Sequence, residues 1–188
     1  MLLDDMIEHN KNFVANKEYV EYRTSKLPSK KLVVVSCMDT RLTELLPKAM
    51  NLRNGDAKIL KTAGAVVSHP FGSIMRSIIV AIYELNAIEI CVVGHHDCGM
   101  AHVNPTETTR KMIERGISEQ TIETLNYSGI TINDWLRGFD SVSESVRQSV
   151  EVIRNHPLIP KDIPIHGLVI NPDTGALDII ENGYTNRK

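Results

Sequence analysis

Apolar positions along this chain alternate between a helical period and short unbroken runs. Over residues 2–22, Leu3, Met6, Ile7, Phe13 and Val14 recur at helical spacing before the polar stretch TSKLPSKK, which predicts an N-terminal amphipathic helix within 1–22. Its stripe packs either on its own core or on a second subunit. KLVVVSC follows as a continuous β-branched run, the pattern of a strand covered on both faces. LTELLPKAMNL reads as helix until the turn signal RNGD, and AKILKTAG as a second short strand ending in small residues. Between Pro70 and Leu85 the apolar side chains Phe71, Ile74, Ile78, Ile79, Ile82 and Leu85 return to helical spacing, and EICVVG is a third buried strand. Helical patterning resumes near 107–125 and from Ser141 to Arg154, with a loop-like stretch containing Trp135 between them. IHGLVINPDTGALDIIENG places two apolar runs about a Pro-Asp-Thr-Gly turn, a hairpin signal. Strands alternating with helices predict an α/β fold: a mostly parallel sheet of four to five strands, helices on both faces, and an antiparallel edge strand.

The length of 188 residues suits one domain spanning 1–188, since a single core serves chains of up to about 250 residues. A formal net charge of -2, from 21 basic and 23 acidic side chains, gives no field to gather nucleic acid or an anionic membrane. No stretch approaches roughly 18 consecutive apolar residues, and MLLDDMIEHN is acidic where a secretory leader is basic. Cys37, Cys91 and Cys98 form an odd set without disulfide spacing. They point to a reduced, cytoplasmic setting in which thiols serve as ligands or core.

In parallel sheets chemistry gathers at the carboxyl ends of the strands. The first strand ends in Cys37, and the third runs through His95 to Cys98 in CVVGHHDCGM. A histidine and a cysteine three residues apart on a turn can reach one ion, and a thiolate from the next strand end completes the set. Two thiolates and an imidazole favour zinc, and three protein ligands leave a tetrahedral corner for water or a switchable side chain. Cys91, mid-strand among Ile90, Val92 and Val93, is read as core. His96 is read as exposed or backbone-bonded, because adjacent turn residues point apart. His69, His102 and His166 lack a spacing partner and are read as satisfied or solvated, with one of them a candidate proton shuttle. The triplet DTG at 173–175 has the letters of an aspartic protease motif, but a hairpin turn explains it.

Cys37-x-Asp39-x-Arg41 followed by His95-x-x-Cys98-Gly99 resembles the β-class carbonic anhydrases, in wording most like the compact prokaryotic members. The resemblance runs from about Lys31 to Met100 and more weakly to the terminal strands. It implies one zinc ion per chain on Cys37, His95 and Cys98, with Asp39 and Arg41 as the acid and arginine pair beside it and Gly64 and Gly99 at the substrate pocket. The activity implied is reversible hydration of carbon dioxide to bicarbonate by metal-bound hydroxide, in a homodimer or a multiple of dimers. Two thiolates leave zinc nearly neutral, so help is needed: Asp39 accepts a hydrogen bond from the hydroxide and Arg41 holds Asp39. Alternatively Asp39 takes the fourth metal position and closes the site. High pH favours the open arrangement, so activity is expected to rise with pH. Lys61 and Thr62 stand before Ala63-Gly64 where many members have arginine and asparagine. The stretch from His102 to Asp140 either covers the pocket or extends a subunit contact. Hydrolysis of carbon disulfide or carbonyl sulfide, and a non-catalytic zinc protein closed by Asp39, are the alternative functions.

Overall fold

A computed structural model describes residues 1–185; the last three positions of the expected 1–188 domain lie outside the described residues. Five strands, β1 (Leu32–Cys37), β2 (Ala57–Thr62), β3 (Glu89–His95), β4 (Ile165–Ile170) and β5 (Leu177–Glu181), form one sheet in the order β2-β1-β3-β4-β5. All neighbours are parallel except β4 and β5, which pair antiparallel as the predicted hairpin.

The unbroken apolar run of β1 follows from its place inside the sheet: all six residues are buried. On one face, Val33 and Val35 of β1 and Ile90 and Val92 of β3 pack with Met75, Ile78 and Ala81 of α3 (Ser73–Leu85) and Val146, Val150 and Ile153 of α7 (Val142–Arg154). On the other, Leu32, Val34, Val93 and Ile170 meet Leu42 and Leu46 of α2 (Leu42–Ala49). Each valine, leucine, isoleucine or methionine among them contributes about 1.5–3 kcal/mol on full burial. The chain leaves β1 for β2 on one side and returns to β3 on the other. The carboxyl ends of β1 and β3 therefore flank the switch point where open α/β sheets place ligands, and those ends are Cys37 and His95.

Three elements differ from the sequence expectation. The N-terminal helix α1 runs only from Leu2 to Ala15; Lys17 at φ +57° breaks it, and a short 3-10 turn covers Glu18–Tyr22. No residue of α1 is buried, and Leu3, Met6 and Ile7 are 67%, 56% and 49% exposed, so the stripe does not pack on its own core. The 107–125 pattern is two helices, α4 (Pro105–Glu114) and α5 (Glu119–Tyr127), parted at Gly116 with φ +98°. Asn104 and Ser118 cap them by accepting backbone N–H bonds from Glu107 and Thr121. The stretch read as loop around Trp135 holds a four-residue helix, α6 (Ile132–Trp135).

Candidate metal centre

The three proposed ligands converge as their positions at strand ends require. Sγ of Cys37 and Sγ of Cys98 lie 3.9 Å apart, and all three potential ligand atoms, including one from His95, lie within 4.8 Å of one another. A tetrahedral ion with Zn–S bonds near 2.3 Å sets its sulfurs about 3.8 Å apart, whereas a disulfide needs about 2.05 Å; the observed spacing suits a shared ion. All three side chains are buried. The His95 Nδ1 lies 2.8 Å from the His96 carbonyl oxygen, so Nδ1 carries the proton and donates it. That leaves Nε2 with a lone pair, and this buried atom has no hydrogen-bond partner among the described residues. A buried nitrogen without a partner is costly unless a cation receives its lone pair, and the donor set therefore fits zinc. Burial pushes the Cys98 thiol up to about 11, with Cys37 alongside adding to the shift; without a cation this thiol stays protonated.

Just beyond Cys37 the chain turns, and Arg41 folds back onto Asp39. Arg41 donates from Nε to Asp39 Oδ1 at 3.1 Å, from one terminal nitrogen to Oδ2 at 2.9 Å, and from its backbone N–H to Oδ1 at 2.9 Å. This fork holds the Asp39 carboxyl down at about 2, the side-chain bond from Arg41 being the largest cause. Asp39 is thus an anion throughout the working range, its Oδ2 3.7 Å from His95 Nε2. The guanidinium also reaches the other ligand turn, donating to Asp97 Oδ2 and to the Asp97 carbonyl oxygen, each at 3.1 Å. Sequence reasoning did not single out Asp97; the available signal is an acid immediately before Cys98 in HHDC.

Around this centre, desolvation lowers the Lys61 amine, against an opposing influence from nearby Cys37 and Asp39. Gly64, at φ +71°, sits where an added Cβ would lie 2.8 Å from the Phe139 ring and 3.0 Å from Met100 Cγ, while one on Gly99 would meet open space. Gly138 lies directly against the Met100 carbonyl. Residues from the 102–140 stretch therefore pack on the turn that follows Cys98. Two cavities flank this contact, one of about 480 Å³ walled by Val66, Ile74, Met100, Trp135 and Leu136, the other of about 380 Å³ reached by Met100, Arg137 and Phe139.

The remaining side chains behave as their neighbours dictate. Cys91 is buried mid-strand and its thiol is pushed up to about 12 by desolvation, in keeping with a core role. His96 is half-exposed, 3.6 Å from Asp178. His69 and His102 are exposed, and His69 Nδ1 accepts the Phe71 N–H. His166 is buried, accepts the Gly183 N–H at 3.1 Å and faces Glu89 at 3.1 Å. His156, absent from the sequence-based candidates, is buried, accepts the Leu158 N–H at 3.2 Å and has its ring 5.0 Å from Phe71. The Asp-Thr-Gly triplet forms the β4–β5 turn, where Asn171 Oδ1 accepts the N–H groups of Asp173 and Thr174.

Comparison with known proteins identifies the family. The family model described as carbonic anhydrase matches residues 32–177. A Bacillus subtilis (strain 168) protein named "Putative carbonic anhydrase YtiB" is 60% identical over 185 residues, covering 98% of this chain and 99% of that protein. A carbon disulfide hydrolase of Acidianus sp. (strain A1-3) is 30% identical over 174 residues, covering 86% of this chain and 83% of its own. Among solved structures, β-carbonic anhydrase isoform I of Trichomonas vaginalis is 34% identical with a TM-score of 0.88, covering 98% of this chain and all of that one. With the sheet, the strand-end cysteines and the aspartate–arginine fork already in place, these matches make the chain a member of the β-carbonic anhydrase family.

Proposed function

We propose that this protein is a carbonic anhydrase that hydrates carbon dioxide reversibly to bicarbonate, using one zinc ion held by Cys37, His95 and Cys98. The observation that carries this is the unpartnered, buried His95 Nε2 facing two thiols, with Asp39 drawn into the Arg41 fork and so not itself the fourth donor. When bound, zinc supplies a Lewis acid that makes water nucleophilic near neutral pH. The protein's own groups do the rest. The His96 carbonyl fixes the His95 tautomer. Asp39, oriented by Arg41, accepts a hydrogen bond from the attacking water and aims its lone pair at the carbon of carbon dioxide. One C–O bond forms while one C=O π bond of carbon dioxide opens and leaves its electron pair on oxygen, the water gives up a proton to solvent or buffer, and bicarbonate departs.

The two alternatives weigh less. A non-catalytic protein closed by Asp39 requires that carboxylate to leave both nitrogens of Arg41. Hydrolysis of carbon disulfide or carbonyl sulfide draws support from the 30% identical hydrolase and from the apolar wall of the larger cavity, against the 60% identical relative named for carbonic anhydrase. Stopped-flow assays on zinc-quantified protein decide: carbon dioxide hydration with no sulfide release from carbon disulfide is expected, and the reverse pattern transfers the chain to the hydrolases. The hydration rate is expected to rise between about pH 6.5 and 9. Ionised far below that range, Asp39 does not contribute to the rise, and a flat profile would refute the open-site mechanism.

The assembly proposed is a homodimer or a multiple of dimers in a reduced, cytoplasmic setting. The exposed stripe of Leu3, Met6 and Ile7 on α1 supports a covering second copy. A chain carrying both Leu3→Glu and Ile7→Glu is expected to fall to monomer mass in light scattering, and an unchanged mass would remove α1 from the interface. Among the described residues no helix is long and apolar enough to cross a membrane.

A further inference from the structure

We infer that Asp97 is a positioning residue for the aspartate–arginine pair: it anchors the far side of the Arg41 guanidinium and so holds the face that presents Asp39 to the reacting water. The inference deepens the hydratase proposal and rests on it for its kinetic arm alone.

Arg41 is a bridge between two turns that are far apart in sequence. Its Nε and one terminal nitrogen engage Asp39, two residues after Cys37; its other terminal nitrogen engages Asp97 Oδ2, one residue before Cys98. The nitrogen that serves Asp39 Oδ2 also donates to the Asp97 carbonyl oxygen. Guanidinium is planar and rigid, so fixing both edges fixes the plane, and with it the two oxygens of Asp39. With only the Asp39 contacts, Arg41 and Asp39 can swing together as a pair, because both hang from the same short turn. The Asp97 contacts tie that turn to the β3 end and remove the freedom. Backbone conformation at Asp97 serves this role. Its φ of +53° lies in the left-handed region, which aspartate, asparagine and glycine tolerate best, and there the carbonyl and the carboxylate both face Arg41.

The energetic case is one of orientation. With Arg41 38% and Asp97 75% exposed, the pair adds little to stability, as solvated ion pairs do. A small misplacement of a group that aims a nucleophile nonetheless costs rate. Partners that orient the groups around a metal typically change activity by about 10–100-fold when lost.

The backbone conformation dictates the test variants. Asp97→Gly removes the side chain and suits the left-handed region, and Asp97→Asn keeps shape and one acceptor while removing charge. The first readout uses the zinc-free protein: solvent exchange of the Arg41 Nε–H, followed by 15N NMR and assigned with Arg41→Lys. The second is carbon dioxide hydration on zinc-loaded protein with zinc content measured. Asp97→Gly is expected to speed Nε–H exchange several-fold and to lower kcat/KM about tenfold at full zinc content, with Asp97→Asn falling between Asp97→Gly and the parent. Exchange and kcat/KM both within twofold of the parent would overturn the inference, as would a rate loss that merely tracks lost zinc or faster exchange with no change in rate. Were the parent itself inactive toward carbon dioxide, the hydratase proposal would fail, while unchanged exchange in Asp97→Gly would still overturn the anchoring by Asp97.

Discussion

Replacing Cys98 by serine is expected to strip the centre of zinc and abolish carbon dioxide hydration while the fold persists. The apparent free energy of zinc in cysteine-rich sites is roughly 10–16 kcal/mol, so losing one donor of three forfeits on the order of 3–5 kcal/mol, about two to four powers of ten in affinity. Serine cannot replace what is lost, because its hydroxyl does not ionise readily and its oxygen is a poorer match than thiolate for a borderline-soft ion. Cys98 is 4% exposed and its partner Cys37 5%, so the lost donor belongs to the buried part of the centre. Metal analysis after dialysis against a weak chelator, with circular dichroism alongside, measures the effect. Full zinc retention in Cys98→Ser would contradict the assignment.

Asp39→Ala is expected to fail differently. The three proposed ligands remain, so zinc stays near one per chain. What disappears is the acceptor that orients the attacking water, and Arg41 keeps only its contacts to Asp97. Lost orientation and lost charge complementarity together predict a fall in kcat/KM of about 10²-fold. Zinc loss paired with activity loss in Cys98→Ser, against activity loss alone in Asp39→Ala, separates a ligand from a helper. Parent-like kinetics in Asp39→Ala would remove Asp39 from the proposed mechanism.

How much of this was legible in the sequence depends on how locally each feature is encoded. β1 and β3 were readable because burial on both faces of an interior parallel strand demands an unbroken apolar run, and VVV and CVV supply it. The Cys37, His95 and Cys98 cluster was readable for a related reason: chemistry-bearing side chains break the apolar run at the carboxyl ends of the strands, where the sheet brings them together. The hairpin was marked by its turn residues. The break between α4 and α5 was obscured because helical spacing continues across Gly116, and only a positive φ and the Ser118 cap divide the two. The helix α6 is too short to announce itself by period; its one buried residue, Ile132, is held by the Asn126 side chain accepting its N–H.

Asp97 and His156 stayed hidden for another reason. A lone acid beside a cysteine says nothing until Arg41 from the other turn is seen to reach it. The ring that His156 meets, Phe71, is far away in sequence. The apolar stripe on α1 lies between these cases. Its period was legible, yet the helix ended earlier than the pattern, at the left-handed Lys17, and amphipathicity alone cannot say which surface will cover a stripe.

The most direct test of the zinc proposal is anomalous diffraction at the zinc edge from crystals of the protein as purified. The account predicts one strong peak per chain, bonded to Sγ of Cys37, Sγ of Cys98 and Nε2 of His95 at about 2.3, 2.3 and 2.0–2.1 Å, with Asp39 still paired to Arg41. No peak there, or a zinc ion bound elsewhere with the two thiols unligated, would contradict it.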